Sequence, residues 1–280
     1  MMNHLTVIYI LAGIIIVLLG FLSWRFFRRV TEKAARQNRT LKMQMTSNIA
    51  HELRTPVTSI RGYLETLLAC PDMSMDKKQA FLQRAYNQTL RLSDLISDMA
   101  LITKIEESPE KLAKEEVDIC DVASEVFEEF SERIAEKGVK VEVLLEPDTI
   151  IVGNRTLVYA ILRNLVENSL KYGGEGITVH FECYSSIDRV CYFTYYDTGS
   201  GVPQEHLERL FERFYRVSEG RSRDDGGSGL GLSIVRNAVA FHGGDIRVMN
   251  RQWGGLQFFF TLRKKPELIS FISTSPASTA

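Results

Sequence analysis

The 280-residue chain has little of what would assign it to several large protein classes. Its four cysteines form no C-x-x-C pair, which argues against a disulfide scaffold and against a cysteine-based metal site. With 34 Lys and Arg against 35 Asp and Glu, the net charge is −1, so we expect no direct binding of nucleic acid. The chain also lacks a G-x-x-x-x-G-K-[ST] motif and a Rossmann-type G-x-G-x-x-G turn, which excludes the two commonest phosphate-binding signatures.

One long uncharged run lies near the start of the chain. Residues 5–24 contain no charged side chain, and at ~1.5 Å per residue a helix of that length spans ~30 Å, the thickness of a bilayer's hydrocarbon core. Six Lys or Arg and one Glu follow within 25–39, a net charge of +5. By the positive-inside rule we expect a single transmembrane helix at 5–24, a basic juxtamembrane linker at 25–37 and a cytoplasmic remainder. A signal peptide is disfavoured because residues 1–4 carry no Lys or Arg.

Two stretches of apolar residues with heptad spacing predict a helical hairpin. They cover 43–67 and 82–99, and a break with the sequence C-P-D-M-S-M separates them at 70–75. A Ser-Pro pair at 108–109 ends the second helix. Because two helices with one apolar stripe each bury little, we expect the antiparallel hairpin over 38–108 to form a four-helix bundle in a homodimer.

His51 lies on the polar side of the first predicted helix. At ~100° per residue, its side chain points about 160° away from Leu53 on the apolar stripe, and Thr55 points about 200° away. Both side chains therefore face solvent, one turn apart. An outward histidine is most often only a solvated one, so helix geometry leaves a reactive and an inert His51 both open.

After residue 109 the pattern changes to alternating strands and helices, which predicts a two-layer α/β sandwich with one sheet and its helices on one face. We place this domain at 112–265 and a disordered tail, rich in Ser and Thr, at 266–280. The predicted helices are 120–137, 155–172 and 229–242. The predicted strands are 115–118, 139–145, 149–152, 177–184, 190–197, 245–250 and 256–262.

Three groups of residues in this domain suit a bound nucleotide. Glycine clusters at 197–201, after a strand, and at 226–231, before a helix, would let backbone N–H groups approach phosphates. Asn164, Asn168 and Lys171 share one face of the predicted helix at 155–172, and amide oxygens are suitable ligands for Mg²⁺. Each group alone also fits a solvated polar surface, so these residues by themselves leave both interpretations open.

Together, the motifs over about residues 38–265 resemble those of the bacterial two-component sensor histidine kinases. They occur in that family's order: S-N-I-A-H-E-L-R-T-P at 47–56 (H box), N-L-V-E-N with K-Y at 164–172 (N box), D-T-G-S-G at 197–201 (G1 box), F-E-R-F-Y-R at 211–216 (F box) and G-L-G-L at 229–232 (G2 box). The resemblance implies the Bergerat ATP-binding fold, with ATP and Mg²⁺ as cofactors, in a protein of the bacterial inner membrane.

The resemblance implies roles for four residues in phosphoryl transfer. His51 would accept the γ-phosphoryl group of ATP and pass it to an aspartate on the receiver domain of a response regulator. Glu52 would act as general base for the other ring proton, and Arg216 would stabilise charge on the transferring group. Thr55 would orient a water that dephosphorylates the regulator.

The resemblance also implies a nucleotide site. Asn168 would hold Mg²⁺ with support from Asn164, and Lys171 would contact phosphate. Asp197 would accept a hydrogen bond from the adenine amino group, and Tyr172 would pack near the base. The remaining members of the predicted site are Gly199, Gly201, Gly227, Gly229, Leu230 and Gly231.

Two other classes fit part of the sequence. A Bergerat-fold ATPase that drives a conformational clamp would leave His51 unexplained, and Asn164 stands where such ATPases place a catalytic Glu. A membrane-tethered scaffold without activity would leave the complete set of motif residues unexplained. We therefore expect an autophosphorylating protein-histidine kinase that acts in signal transduction and also dephosphorylates its regulator.

Overall fold

The computed structural model of the protein describes residues 20–21, 24–25, 27–28, 46–147, 149–217 and 227–264. The predicted transmembrane helix at 5–24 and the linker at 25–37 lie almost entirely outside these residues, and the tail at 266–280 lies wholly outside them. Within the part of the chain that is described, no helix has the length and hydropathy needed to cross a membrane.

Two long helices form the predicted hairpin. Helix α1 covers 46–69 of the described residues, and helix α2 covers Met75–Glu107. Tyr63 and Phe81 lie on opposite sides of the connecting loop and place their ring centroids 5.8 Å apart, so the two helices pack antiparallel. The N–H of Ser108 bonds to the Lys104 carbonyl and closes α2, as the Ser-Pro pair predicts.

Part of the predicted apolar stripe stays exposed within one chain. Val57 and Leu64 on α1 are 50% and 43% exposed, and Leu82 and Ile96 on α2 are 54% and 53% exposed. Each helix therefore has two large apolar side chains on its predicted stripe that a single chain leaves about half exposed. One hairpin therefore leaves the apolar surface that the predicted dimer would cover.

The second domain is a two-layer α/β sandwich. Its strands are Glu115–Asp118 (β1), Lys140–Leu144 (β2), Ile150–Gly153 (β3), Thr178–Ile187 (β4), Val190–Asp197 (β5), Ile246–Asn250 (β6) and Leu256–Arg263 (β7). Five of them form a sheet in the order β2-β4-β5-β7-β6, in which β2 and β4 are parallel and the other neighbours antiparallel. β1 and β3 form a separate antiparallel pair.

Four helices pack on one face of this sheet: Ile119–Glu129 (α3), Ser131–Glu136 (α4), Arg155–Tyr172 (α5) and Gly231–Phe241 (α6). The core lies between these helices and alternate residues of the strands, among them Phe181, Phe193, Tyr195, Phe258 and Phe260. Asn154 begins α5 by accepting a hydrogen bond from the Leu157 N–H at 3.2 Å, which fixes the helix that carries the N box.

Three details of the predicted domain are wrong. The domain has two sheets where the sequence predicts one. Strand β3 ends at Gly153, where the chain turns into α5, and β3 meets the end of β7 only in an Ile151–Lys264 bridge. The predicted helix at 120–137 is divided at Phe130, whose non-helical backbone and buried ring let the chain follow the core. The predicted helix at 229–242 begins only at Gly231, since Gly229 has a φ of +70°.

Candidate functional site

A cavity of about 750 Å³ lies between α5, the end of β5, the start of α6 and the hairpin helix α2. Ten of the residues predicted for the nucleotide or its transfer line it: Asn164, Asn168, Lys171, Tyr172, Asp197, Gly201, Arg216, Gly227, Gly229 and Gly231. Glu52 reaches the same cavity from α1. The fold therefore brings motifs from five separate parts of the sequence to one place.

Asp197 ends β5 with its side chain held in a fixed orientation. Its Oδ1 accepts a hydrogen bond from the Gly199 N–H at 2.9 Å, and its Oδ2 accepts one from the Ser169 hydroxyl at 3.0 Å. The turn before β7 passes so close that a Cβ on Gly255 would lie 1.9 Å from the Asp197 carbonyl oxygen. Gly255 also has a φ of +88°, so both sterics and backbone conformation require glycine there.

The N-box face of α5 offers amide groups to the cavity. Asn164 Nδ2 donates to the Ala160 carbonyl at 2.7 Å, and its Oδ1 would lie 2.5 Å from a Cβ on Gly231, so α6 begins directly against it. Asn168 Nδ2 is buried and has no hydrogen-bond partner among the described residues. A buried amide without a partner is unfavourable by ~1–3 kcal/mol, so a bound polar group would relieve it. The Asn168 N–H donor suits a phosphate oxygen, and the amide oxygens of this face are ligands of the type that Mg²⁺ prefers, so the site fits a nucleotide with Mg²⁺.

Charged groups on the same helix are paired. Lys171 Nζ lies 2.7 Å from Glu167 Oε1, and Arg163 Nη1 lies 3.5 Å from Glu167 Oε2. Burial alone would raise the pKa of Glu167, but the Lys171 ammonium and the Arg163 guanidinium outweigh burial and lower it. Glu167 therefore stays ionised at neutral pH and holds the Lys171 amine beside the cavity.

Glycines shape the opposite side of the cavity. A Cβ on Gly227 would lie 2.5 Å from the Tyr172 hydroxyl, so the backbone of the G2 box comes within contact of the exposed Tyr172 ring. A Cβ on Gly229 would lie 2.8 Å from the backbone of Phe214, which itself has a φ of +63° and donates its N–H to the Gly229 carbonyl at 2.8 Å. The F box and the G2 box, which flank residues 218–226 in the sequence, are therefore in direct contact.

Two residues predicted for the nucleotide site have other surroundings. Gly199 does not line the cavity and acts through its N–H on Asp197. Leu230 is fully buried in a hydrophobic cluster between the two domains and does not line the cavity either. Leu230 marks the G2 box in the sequence, but its side chain serves packing.

His51 lies on the solvent side of α1, as the helix geometry predicts. Its side chain is 68% exposed, and its Nδ1 lies 3.6 Å from Glu52 Oε1. Thr55 is also exposed and donates its hydroxyl to the His51 carbonyl at 3.3 Å. His51 and Thr55 do not line the cavity, whereas Glu52 does, so the cavity meets the hairpin at the residue next to His51.

The α/β domain rests against the hairpin through an apolar cluster and polar contacts at its edge. The buried members of the cluster are Leu95, Ile102, Ala160, Leu230 and Ile234. Ser228 donates its hydroxyl to Asp98 Oδ2 at 3.4 Å, and Glu106 accepts from Asn237 at 3.4 Å and pairs with Arg213. Burial raises the pKa of Asp98 to about 6.

Several of these residues have little or no signal in the sequence. Ser169 adjoins Asn168 in the N box, so its neighbourhood gave a weak signal. Gly255, Asp98 and Ser228 act through contacts between distant segments, which no local spacing reveals.

Comparisons with known proteins agree with this arrangement. Residues 41–108 match the His Kinase A (phospho-acceptor) domain family, and residues 153–266 match the Histidine kinase-, DNA gyrase B-, and HSP90-like ATPase family. The sensor histidine kinase WalK of Bacillus subtilis is 32% identical over 81% of this chain, which covers 37% of WalK. The signal transduction histidine-protein kinase BaeS of Escherichia coli is 31% identical over 83% of this chain, which covers 49% of BaeS.

A crystal structure of the histidine kinase ThkA in complex with the response regulator protein TrrA is similar in fold. It has a TM-score of 0.66 and 25% sequence identity, and the match covers 83% of this chain and 65% of that one. In length, this chain spans less than half of WalK and less than half of BaeS. With both domains matched in the same order, the chain belongs to the sensor histidine kinases of two-component systems.

Proposed function

We propose that this chain transfers the γ-phosphoryl group of ATP to His51 and then passes it to an aspartate on the receiver domain of a response regulator. The observation that carries the proposal is the single cavity that joins Asp197, the buried amides of Asn164 and Asn168 and the glycine start of α6, next to Glu52. The similarity to kinases that contain both domains supports it.

In this proposal the cavity binds ATP by groups of complementary chemistry. Asp197 accepts a hydrogen bond from the adenine amino group, and Tyr172 packs near the base. The backbone N–H groups at the start of α6, together with Lys171, contact the phosphates. The amide oxygen of Asn168 holds Mg²⁺, which would neutralise charge on the phosphate oxygens.

The geometry of His51 suggests which ring nitrogen reacts. Nδ1 faces Glu52, so Nε2 is the nitrogen available to the phosphorus atom. The Nε2–P bond forms as the bond from the γ-phosphorus to the bridging oxygen breaks, ADP leaves, and Glu52 accepts the Nδ1 proton. Arg216, which lines the cavity, stabilises the charge on the transferring group. Because His51 lies outside the cavity of its own chain, transfer requires the α/β domain to move or a second chain to supply the nucleotide.

Three further parts of the proposal rest on other features. We propose that 5–24 anchors the protein in the inner membrane with the catalytic part in the cytoplasm, because the basic residues follow the apolar run. The exposed apolar stripe on α1 and α2 supports a homodimeric four-helix bundle. The exposed Thr55, one turn from His51, supports a phosphatase activity toward the regulator.

Incubation of the purified protein with Mg²⁺ and ATP labelled with ³²P at the γ position tests the proposal. We expect acid-labile label on the wild-type protein, none on His51→Gln, and full label on Thr55→Ala, which should instead lose regulator dephosphorylation. Steady release of phosphate without any labelled protein would contradict the proposal and indicate a conformational ATPase.

A further inference from the structure

Two buried hydroxyl groups stand behind Asp197 in one continuous hydrogen-bonded chain. Tyr195 donates its hydroxyl to Ser169 Oγ at 3.0 Å, and Ser169 donates to Asp197 Oδ2 at 3.0 Å. Tyr195 precedes Asp197 by two residues on β5, so both side chains lie on the same face of the sheet, toward α5. Ser169 meets them from α5, directly after Asn168.

The direction of the donors in this chain is fixed by burial. Tyr195 is fully buried, and burial raises the pKa of its phenol well above the usual value, so it remains a donor at every physiological pH. Ser169 is 2% exposed and has one hydroxyl proton. Because its acceptor side is occupied by Tyr195, that proton goes to Asp197.

The carboxylate of Asp197 is thereby held at both oxygens. Oδ2 receives the Ser169 proton and Oδ1 receives the Gly199 N–H at 2.9 Å. An ionised carboxylate can accept about four hydrogen bonds, so it keeps acceptor capacity for a ligand in the cavity that it lines. Rotation of the carboxylate would break one of the two protein hydrogen bonds.

A purely structural role would not require polar side chains at these two positions. An alanine and a phenylalanine would fill the same contact between α5 and β5 without burying two hydroxyl groups, whose burial is unfavourable unless each is paired. The hydroxyl groups of Ser169 and Tyr195 therefore help to fix the orientation of the Asp197 carboxylate, which an apolar pair could not do.

We propose that Ser169 and Tyr195 are positioning residues that set the base selectivity of the nucleotide site. They hold Asp197 so that its remaining acceptor favours a purine with an exocyclic amino donor, as in adenine, over one with a carbonyl oxygen at that position, as in hypoxanthine. The inference rests on the proposed function, in which Asp197 accepts from the adenine amino group.

Binding and initial-rate measurements with ATP and ITP on the full chain in detergent test this inference. The variants are Ser169→Ala, Tyr195→Phe and the double variant, with Tyr192→Phe on the same strand as a matched control. For Ser169→Ala we expect ATP to bind about tenfold more weakly, with ITP binding and kcat at saturating ATP little changed. The loss should therefore appear as a higher KM for ATP and as a lower ratio of the affinity for ATP to the affinity for ITP.

The double variant separates positioning from packing. In Ser169→Ala the buried Tyr195 hydroxyl loses its acceptor, so the thermal midpoint should fall, and adding Tyr195→Phe should recover it. Base selectivity should stay reduced in the double variant, because the Ser169 hydroxyl that donates to Asp197 Oδ2 is gone. Recovery of selectivity together with stability would overturn the inference, and so would equal losses for ATP and ITP.

The wild-type protein distinguishes this inference from the proposed function. Tight ATP binding with clear preference over ITP, unchanged in all three variants, would overturn only the role of Ser169 and Tyr195. Wild-type protein that binds neither nucleotide would overturn the proposed function and the inference together.

Discussion

Replacement of Ile102 by Ala tests the packing of the α/β domain against the hairpin. Ile102 is fully buried on α2 and packs with Ala160, Leu230 and Ile234 of the other domain. Ile→Ala removes three carbon atoms, at ~0.8 kcal/mol each, or ~2.4 kcal/mol in transfer free energy. With the cavity that remains, the total loss should be ~2–5 kcal/mol. Because the cavity opens between the domains, the loss should weaken their contact more than either domain's own fold.

Hydrogen exchange followed by mass spectrometry over α6, Gly231–Phe241, measures this contact directly. We expect Ile102→Ala to raise exchange in the first turns of α6, next to the cluster. Ile96→Ala is the matched control, since it makes the same truncation on the same helix, on the stripe of the proposed dimer contact and outside the cluster between the domains, so exchange in α6 should stay unchanged. Unchanged exchange in Ile102→Ala, or an equal rise in both variants, would refute the packing of Ile102 between the domains.

Three further predictions concern charge, space and metal at the site. Burial raises the pKa of Asp98 from 3.8 to about 6, even though the Ser228 hydroxyl donates to its carboxylate, so ionisation of Asp98 should weaken the packing of the two domains as pH rises through 6. Asp98→Asn should abolish this pH dependence in the same exchange experiment, and a persistent dependence would contradict it. Gly231→Ala places a Cβ 2.5 Å from Asn164 Oδ1 and should weaken ATP binding about tenfold in a calorimetric titration, which normal affinity would disprove. Asn168→Ala should remove the enhancement of ATP binding by Mg²⁺, because the amide oxygen that would hold the metal is lost, whereas an intact Mg²⁺ effect would place the metal elsewhere.

Elements with a local signal at their ends could be predicted from the sequence. Helix α5 begins and ends at the predicted residues, because Asn154 provides an N-cap and Gly173 follows the last helical residue. Strands β1 and β5 also match their predicted bounds. The break at Phe130 has no such signal, since it depends on how the helix must turn to keep that ring in the core.

The residues of the candidate site also fall into a group that has a signal in the sequence and a group that has none. Residues within the motifs, such as Asn168 and Asp197, could be placed in one cavity because the motif order identifies the fold. Ser169, Tyr195 and Gly255 could not be assigned, because the hydrogen bonds from Tyr195 to Ser169 and from Ser169 to Asp197, and the close approach of Gly255, depend on how α5 and the turn before β7 pack against the end of β5. Spacing along the chain places Tyr195 and Asp197 on one face of a strand, but it does not show which residues of other segments meet them.

The position of the phosphate after the protein reacts with Mg²⁺ and ATP tests the proposed phosphoryl transfer most directly. Tandem mass spectrometry at neutral pH, with fragmentation that preserves phosphoramidates, locates the modified residue in the wild-type protein and in Glu52→Gln. We expect one phosphate on the His51 ring, formed more slowly in Glu52→Gln because the proton acceptor beside Nδ1 is lost. Phosphate on a hydroxyl or carboxyl side chain, with His51 unmodified while ATP is consumed, would contradict it.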